Sequence, residues 1–222
     1  MLSLVIAESA LELVPRELQN HNSVLASAKK FNKKPSEILL DVSWHFAAMK
    51  KIKNEIKRGR PDLVHLCLLE ACSIPIYFEN RLQVFVHTID DMVISFDKSV
   101  RLPKSYHRFA GLIEKLYSEG KIEDEGKKLL EIKKMNFGDL IKKISPEQII
   151  GLSSKGASSS YQQIAEETNK DSCIVVGGFA KGQFSDDIKK HFGKMASVDK
   201  NPLEAHIIIS RILYECEKRI IM

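Results

Sequence analysis

The 222-residue sequence holds four cysteines, one tryptophan and no apolar run approaching the roughly 18 residues that a membrane span needs. Cys67, Cys72, Cys173 and Cys216 include no Cys-x-x-Cys pair. A zinc ribbon and a dithiol redox centre are thereby excluded, and the apolar neighbourhoods of all four predict reduced, buried thiols. The seven histidines are scattered, and none joins a cysteine or an acid at ligand spacing, so no metal is expected. Phosphate-cradle glycines are missing too. "VGGFAKGQF" fits neither Gly-x-x-x-x-Gly-Lys-Ser/Thr nor Gly-x-Gly-x-x-Gly, which argues against nucleoside triphosphates and Rossmann dinucleotides. No Ser-His-Asp set or Cys-His pair can be assigned. The opening "MLSLVIAESALELVP" has acids at Glu8 and Glu12, no basic start and no small-residue cleavage site. It reads as a buried strand and its exit, which predicts a protein that stays inside the cell, in the cytoplasm.

What is present is an uneven charge. Residues 50–60, "KKIKNEIKRGR", carry six Lys or Arg against Glu55, and residues 98–143 carry twelve against seven acids. Each segment is +5. The whole chain is also +5, leaving −5 on everything else. Two basic segments in an otherwise acidic chain predict one surface that faces a polyanion, with nucleic acid ahead of membrane. Within the second segment, "SVRLPKSYHRFAGL" sets Arg101, Lys104 and Arg108 among Tyr106, His107 and Phe109 with no acid between them.

The hydrophobic pattern, at 44% apolar residues, provides for a full core. "LSLVIAESA" predicts a strand covered on both faces. A helix is expected near residues 24–31, a strand at "EILLDVSWH" with Asp41 near its end, and a helix over 45–57. "RPDLVHLCLLEACSI" predicts a helix with Pro61 in its first turn and Asp62 where a carboxylate suits the helix dipole. "LQVFVHTIDDMVISF" reads as a hairpin around Ile-Asp-Asp, followed by helices over 106–118 and 124–143. In the last third, "EQIIGLSSKGASSS", "SCIVVGGFAKGQFS" and "KMASVDKNPLEAH" each set a short apolar strand before a Gly-, Ser-, Asn- or Pro-rich turn. Three such units predict an α/β sheet whose loops gather at the carboxyl ends of its strands, where ligands bind. The closing "PLEAHIIISRILYECEKRI" predicts a helix buried on more than one face, by its own sheet or by a second subunit.

Seven blocks together carry a family resemblance. "EILLDVSWHFAAMK", "GRPDLVHLCLLEA", "LQVFVHT", "SVRLPKSYHRFAGLIEKL", "GLSSKG", "VVGGFAKGQFS" and "NPLEAHIIISRILYECE" stand in the order and spacing of the small-subunit ribosomal RNA pseudouridine N1-methyltransferases. These SPOUT-class enzymes form the Nep/Emg ribosome-biogenesis family, and the similarity runs from about Leu2 to Ile221. The resemblance implies an α/β fold of SPOUT type: a trefoil-knotted parallel sheet with an N-terminal extension and an inserted β-hairpin and helical lobe. It implies one domain over 1–222, with 76–145 as the RNA-facing lobe and 146–222 as the knotted cofactor-binding part. The implied cofactor is S-adenosyl-L-methionine. The implied partners are small-subunit ribosomal RNA, a second copy of the chain and ribosomal proteins during assembly.

By the family pattern the methyl donor sits among three loops. Leu152, Ser153 and Gly156 belong to the first, and Gly177, Gly178, Phe179 and Gly182 to the second. Ser197, Val198, Asp199, Lys200, Asn201, Pro202, Leu203 and Ala205 belong to the third. A sulfonium ligand with an adenine ring needs apolar walls, backbone hydrogen bonds and no strong competing cation. By the same pattern Arg60, Arg101, Lys104 and Arg108 contact RNA; Lys104 stands where arginine is common, which keeps the charge and loses the bidentate fork. Phe109 reads as core. Asp62 is expected to orient Arg60 or to act as a base. Rival readings keep the fold with another RNA acceptor, or make the chain an RNA-binding assembly factor whose methyl transfer is secondary.

Overall fold

A computed structural model describes residues 1–50 and 52–220. The chain opens with β1 (Leu2–Ser9), all eight residues of which are buried. After it come α1 (Asn22–Phe31), α2 (Val42–Met49), α3 (Pro61–Ala71) and α4 (Pro75–Phe78). The hairpin β2 (Leu82–Thr88) and β3 (Met92–Phe96) leads to α5 (Tyr106–Glu119) and a second hairpin, β4 (Lys121–Asp124) and β5 (Lys127–Lys134). The remainder runs α6 (Phe137–Ile144), β6 (Gln148–Ser158), α7 (Tyr161–Glu167), β7 (Ser172–Gly177), α8 (Asp186–Lys189), β8 (Lys194–Ser197) and α9 (Ala205–Ile220).

The strands form one mixed sheet in the order β4-β5-β3-β2-β1-β7-β6-β8. From β2 through β8 by way of β1, β7 and β6 every pairing is parallel; β3, β5 and β4 extend the sheet antiparallel beyond β2. Period-two alternation in β1 sends Leu2, Leu4 and Ile6 into the larger core, with α3, α5 and α9, and Val5 and Ala7 into a smaller one under α6. This two-sided covering explains why β1 is an unbroken apolar run. Because β1, β7, β6 and β8 run the same way, the loops that follow them emerge along one edge of the sheet.

Three expectations are corrected. "EILLDVSWH" is not a strand of the sheet: Pro35–Glu37 is a 3-10 turn, Leu39 makes a single bridge to Leu13, and α2 begins at Val42. The reason is capping. Asp41 accepts from the Ser43 N–H at 2.8 Å and starts the helix, while Ile38 and Leu40 are buried against α1 and α2 rather than beside a strand. The helix expected over 45–57 stops at Met49, and Asn54, in the left-handed region at φ 59°, leads into a 3-10 turn at Glu55–Lys57. The helix expected over 124–143 is a hairpin followed by α6. Glu125 and Gly126 both take positive φ at its turn, and Leu130 and Ile132 alternate inward, Ile132 opposite Ile94 of β3. Asn136 then caps α6 through the Asp139 N–H at 2.9 Å.

The closing helix α9 buries Ile209, Ile212, Leu213 and Cys216 against the core, packing on α3 and α7, while Ile207 and Tyr214 face outward. In this chain it is buried along one side. All four cysteines are buried and unpaired, and burial pushes the thiols of Cys72, Cys173 and Cys216 up to about 12. Among the described residues no helix is long and apolar enough to cross a membrane, and no group of three His, Cys, Asp or Glu could hold a metal ion.

Candidate cofactor and RNA site

The three Gly- and Ser-rich loops meet at the carboxyl edge of the sheet. At the first, β6 continues past Leu152, and the Ser153 hydroxyl donates to Gln183 Oε1 of the second loop at 2.7 Å. Gly156 is required there: a Cβ would lie 2.5 Å from the backbone carbonyl carbon of Ala196 in β8. The second loop is stitched to the end of β1, since the Gly178 N–H donates to Ala7 O and the Ala10 N–H donates to Gly178 O, each at 2.8 Å. A Cβ on Gly178 would stand 2.8 Å from Ser9 Cα. In the third loop the Asp199 carboxylate accepts from the Asn201 N–H at 2.8 Å, and the Ser197 hydroxyl donates to the Asp199 carbonyl at 2.9 Å.

These loops enclose a cavity of about 650 Å³. Leu152, Ser153, Gly177, Phe179, Gly182, Ser197, Val198, Asp199, Lys200, Asn201, Pro202, Leu203 and Ala205 all line it. Gly156 and Gly178 do not. They let β6 and the second loop pack closely against Ala196 and Ser9, so their contribution is to the walls rather than to the lining. Leu63 of α3, Val176 of β7 and Ile208 of α9 add apolar wall, and Gln183 and Glu204 add polar groups. The volume and this mixed lining suit a small cofactor. Lys155, Lys181 and Lys200 also reach the cavity, all three exposed at its rim, so the site is not free of cations.

Arg60 stands immediately before α3, and Pro61 occupies the first helical position, where its missing N–H costs nothing. Both oxygens of Asp62 accept from the Arg60 guanidinium, at 2.8 and 2.9 Å, in a bidentate fork. That carboxylate beside Arg60 holds the guanidinium above its already high range, with smaller contributions from Glu204 and Asp41. The next residue, Leu63, is part of the cavity wall.

The stretch 101–109 docks on the same helix. His65 Nε2–H donates to the Pro103 carbonyl at 2.7 Å, and the His65 ring stacks on Phe109 with centroids 4.3 Å apart. Phe109 is fully buried, as its spacing predicted. The Tyr106 hydroxyl donates to Asp41, and burial together with that carboxylate pushes the phenol above its ordinary range. Asp41 lies one residue before Val42, whose N–H donates to the Gly59 carbonyl at 2.9 Å, next to Arg60. Arg101, Lys104 and Arg108 are exposed, and none forms an ion pair among the described residues. Part of the segment's other charge is compensated: Lys115, Lys121, Lys127, Lys128, Lys133 and Lys142 all pair with acids.

Comparison with known proteins decides the family: the EMG1/NEP1 methyltransferase model matches residues 4–217. The chain belongs to the EMG1/NEP1 methyltransferase family. A relative from Staphylothermus marinus, a ribosomal RNA small subunit methyltransferase Nep1, is 39% identical over 97% of this chain and 95% of its own length. The protein of the same name from Thermococcus onnurineus is 38% identical over 98% of each chain. The crystal structure of Archaeoglobus fulgidus Nep1 bound to S-adenosylhomocysteine superposes with a TM-score of 0.88, at 32% identity and 97% coverage of both chains.

For a member of this family, the first basic segment differs from its sequence reading. Lys57 pairs with Glu8 at 2.8 Å, Arg58 Nε donates to Glu12 at 2.7 Å, and Arg60 is held by Asp62. Three of its described cations are therefore neutralised at close range. Sequence reasoning overlooked Leu63, Val176, Glu204 and Ile208 as cavity residues. Leu63 carried a signal, as the residue directly after Arg-Pro-Asp; the others lie beside predicted loops and point inward only once the strands are in register.

Proposed function

We propose that this chain transfers the methyl group of S-adenosyl-L-methionine to N1 of a pseudouridine in small-subunit ribosomal RNA. The observation that carries the reading is the junction at α3, where the Arg60–Asp62 fork is followed directly by Leu63 in the wall of the cavity. The relatives' names support ribosomal RNA as substrate, and the S-adenosylhomocysteine held by the Archaeoglobus neighbour supports the donor.

When bound, the cofactor supplies an electrophilic methyl on a positively charged sulfur. Leu152, Val176, Leu203 and Ile208 provide apolar surface for the adenine, and the backbone of the three loops supplies its hydrogen bonds. Pseudouridine is joined to ribose through carbon, which leaves N1 with a proton and a delocalised lone pair. It is a poor nucleophile until that proton leaves, so the chain must align N1 with the methyl and stabilise the anion that develops on the ring. Arg60, aimed by Asp62, performs the second task, worth ~2–4 kcal/mol by analogy with oxyanion donors. Both Asp62 oxygens are engaged, which favours the orienting role over that of a base. Arg101, Lys104 and Arg108 hold the phosphates of an RNA loop whose target base is extruded toward the cavity.

The trefoil threading of 146–222, the RNA-facing role of 76–145, a cytoplasmic location and contact with ribosomal proteins belong to the same proposal. So does a homodimer, supported by Leu66 of α3 and Ile207 and Tyr214 of α9, exposed apolar side chains on adjacent helices. The deciding experiment supplies methyl-labelled donor with two RNA hairpins that differ only in uridine or pseudouridine at one position. Label in the pseudouridine hairpin alone is the expected result. Equal label in both removes the acceptor assignment, and label in neither, with hairpin binding intact, favours an assembly factor.

A further inference from the structure

Outside the cavity itself, the second donor loop rests on a pair of nearly buried opposite charges. Glu8, in β1, takes φ 49°, a left-handed conformation that non-glycine residues adopt only when the surroundings hold them there. Its own N–H donates to His87 Nδ1 at 3.4 Å. Its carboxylate accepts from Lys57 Nζ at 2.8 Å and from the Ser185 N–H at 3.2 Å. The two side chains are 12% and 13% exposed. Lys57 Nζ also lies 4.5 Å from the centroid of Phe179, which lines the cavity, and a Cβ on Gly182 would stand 3.2 Å from Lys57 Cε. Residues 177–184 are thus propped in the middle by Lys57 and held at their far end by Glu8 through Ser185. Arg58 is already engaged by Glu12, and no other ion pair to Lys57 exists among the described residues.

A nearly buried cation behind the loop of a sulfonium donor needs an explanation. The donor carries a positive sulfur and the product a neutral one; apart from the methyl group itself they are alike. An uncompensated ammonium behind Phe179 repels the first more than the second, and in a partly buried setting that difference is poorly screened. The exposed rim lysines, by contrast, are screened by water. We propose that Glu8 is a positioning and donor-discriminating residue: with Lys57 it forms a charge-neutral latch that holds the second loop and cancels the field a sulfonium would otherwise meet. This rests on the donor reading given above.

The test is titration calorimetry of the full chain with S-adenosylmethionine and, separately, S-adenosylhomocysteine, for wild type, Glu8→Gln, Lys57→Met and the double variant. Glu8→Gln is expected to raise the ratio of Kd for the sulfonium to Kd for the thioether about fivefold. Lys57→Met should lower that ratio, because the carboxylate then stands alone, and the double variant should return it to within about twofold of wild type. Both affinities fall together wherever the loop merely loses its prop, so an unchanged ratio in the single variants overturns the inference. If Glu8→Gln fails to fold, the direction of the ratio in Lys57→Met decides alone. Wild type that binds neither ligand overturns the donor reading instead.

Discussion

At the scale of single residues, the Arg60–Asp62 fork is the arrangement with the most at stake. Its side chains are 36% and 45% exposed, so solvent screening keeps its contribution to folding within ~1 kcal/mol, and its value lies in direction. Asp62→Asn should leave the melting temperature nearly unchanged and donor affinity intact, while hairpin affinity measured by filter binding falls by about three- to tenfold. Three buried histidines make a second prediction. Burial depresses His45, His65 and His87 below their ordinary 6.5, and the fold uses them neutral. The Asp41 N–H donates to His45 Nδ1 at 3.0 Å, which leaves Nε2–H for the Ser27 hydroxyl at 2.7 Å. Below 6.5 the unfolded chain binds protons that the folded chain refuses, so stability is full above that value and declines as pH falls through it. Urea unfolding at pH 7.5 and 5.5 should give a lower midpoint at 5.5, and His45→Gln should reduce the difference. The buried thiols and the core role of Phe109 were legible from apolar neighbours and spacing. The ion pairs of Lys57 and Arg58 were not, because Glu8 and Glu12 lie more than 40 positions away.

At the scale of elements, close approach between strands governs the site. β6 runs on to Ser158 beside β8 because Gly156 presents no side chain to the Ala196 backbone. Gly156→Ala should therefore cost ~1–3 kcal/mol in chemical denaturation and weaken donor binding, since the first and third loops hang from these two strands. The elements that sequence periodicity identified, β1, β2, β3, β7, α3 and α5, each bury one consistent face or both. Two of the segments that it misread show what periodicity lacks. Residues 124–143 are charge-rich, and their strand character depends on β3 offering an edge to Leu130 and Ile132. Residues 37–45 are apolar enough for a strand, yet no sheet edge reaches them, and the Asp41 cap starts a helix instead.

At the scale of the whole molecule, charge is sorted into two environments. Three loops hang from parallel strands around a mixed cavity, and Arg101, Lys104 and Arg108, each without an ion pair among the described residues, stand on a segment docked to α3. RNA binding should weaken steeply with salt, and Arg101→Ala should reduce the slope of log K against log salt by about 0.7 if that side chain holds one phosphate of a single strand. Donor binding should hardly respond to the same salt series. Composition and motif order alone determined that the chain is α/β, that its last three strands end in loops rich in Gly, Ser, Asn or Pro, and that its basic surplus sits in two segments, because these follow from local spacing and residue type. Which cations remain available to a polyanion was decided in part by tertiary structure, since Glu8 and Glu12 neutralise Lys57 and Arg58 across space. Tertiary structure also brought α3 against the cavity through Leu63 and against the segment bearing Arg101, Lys104 and Arg108 through His65, a juxtaposition that requires the sheet to be assembled first.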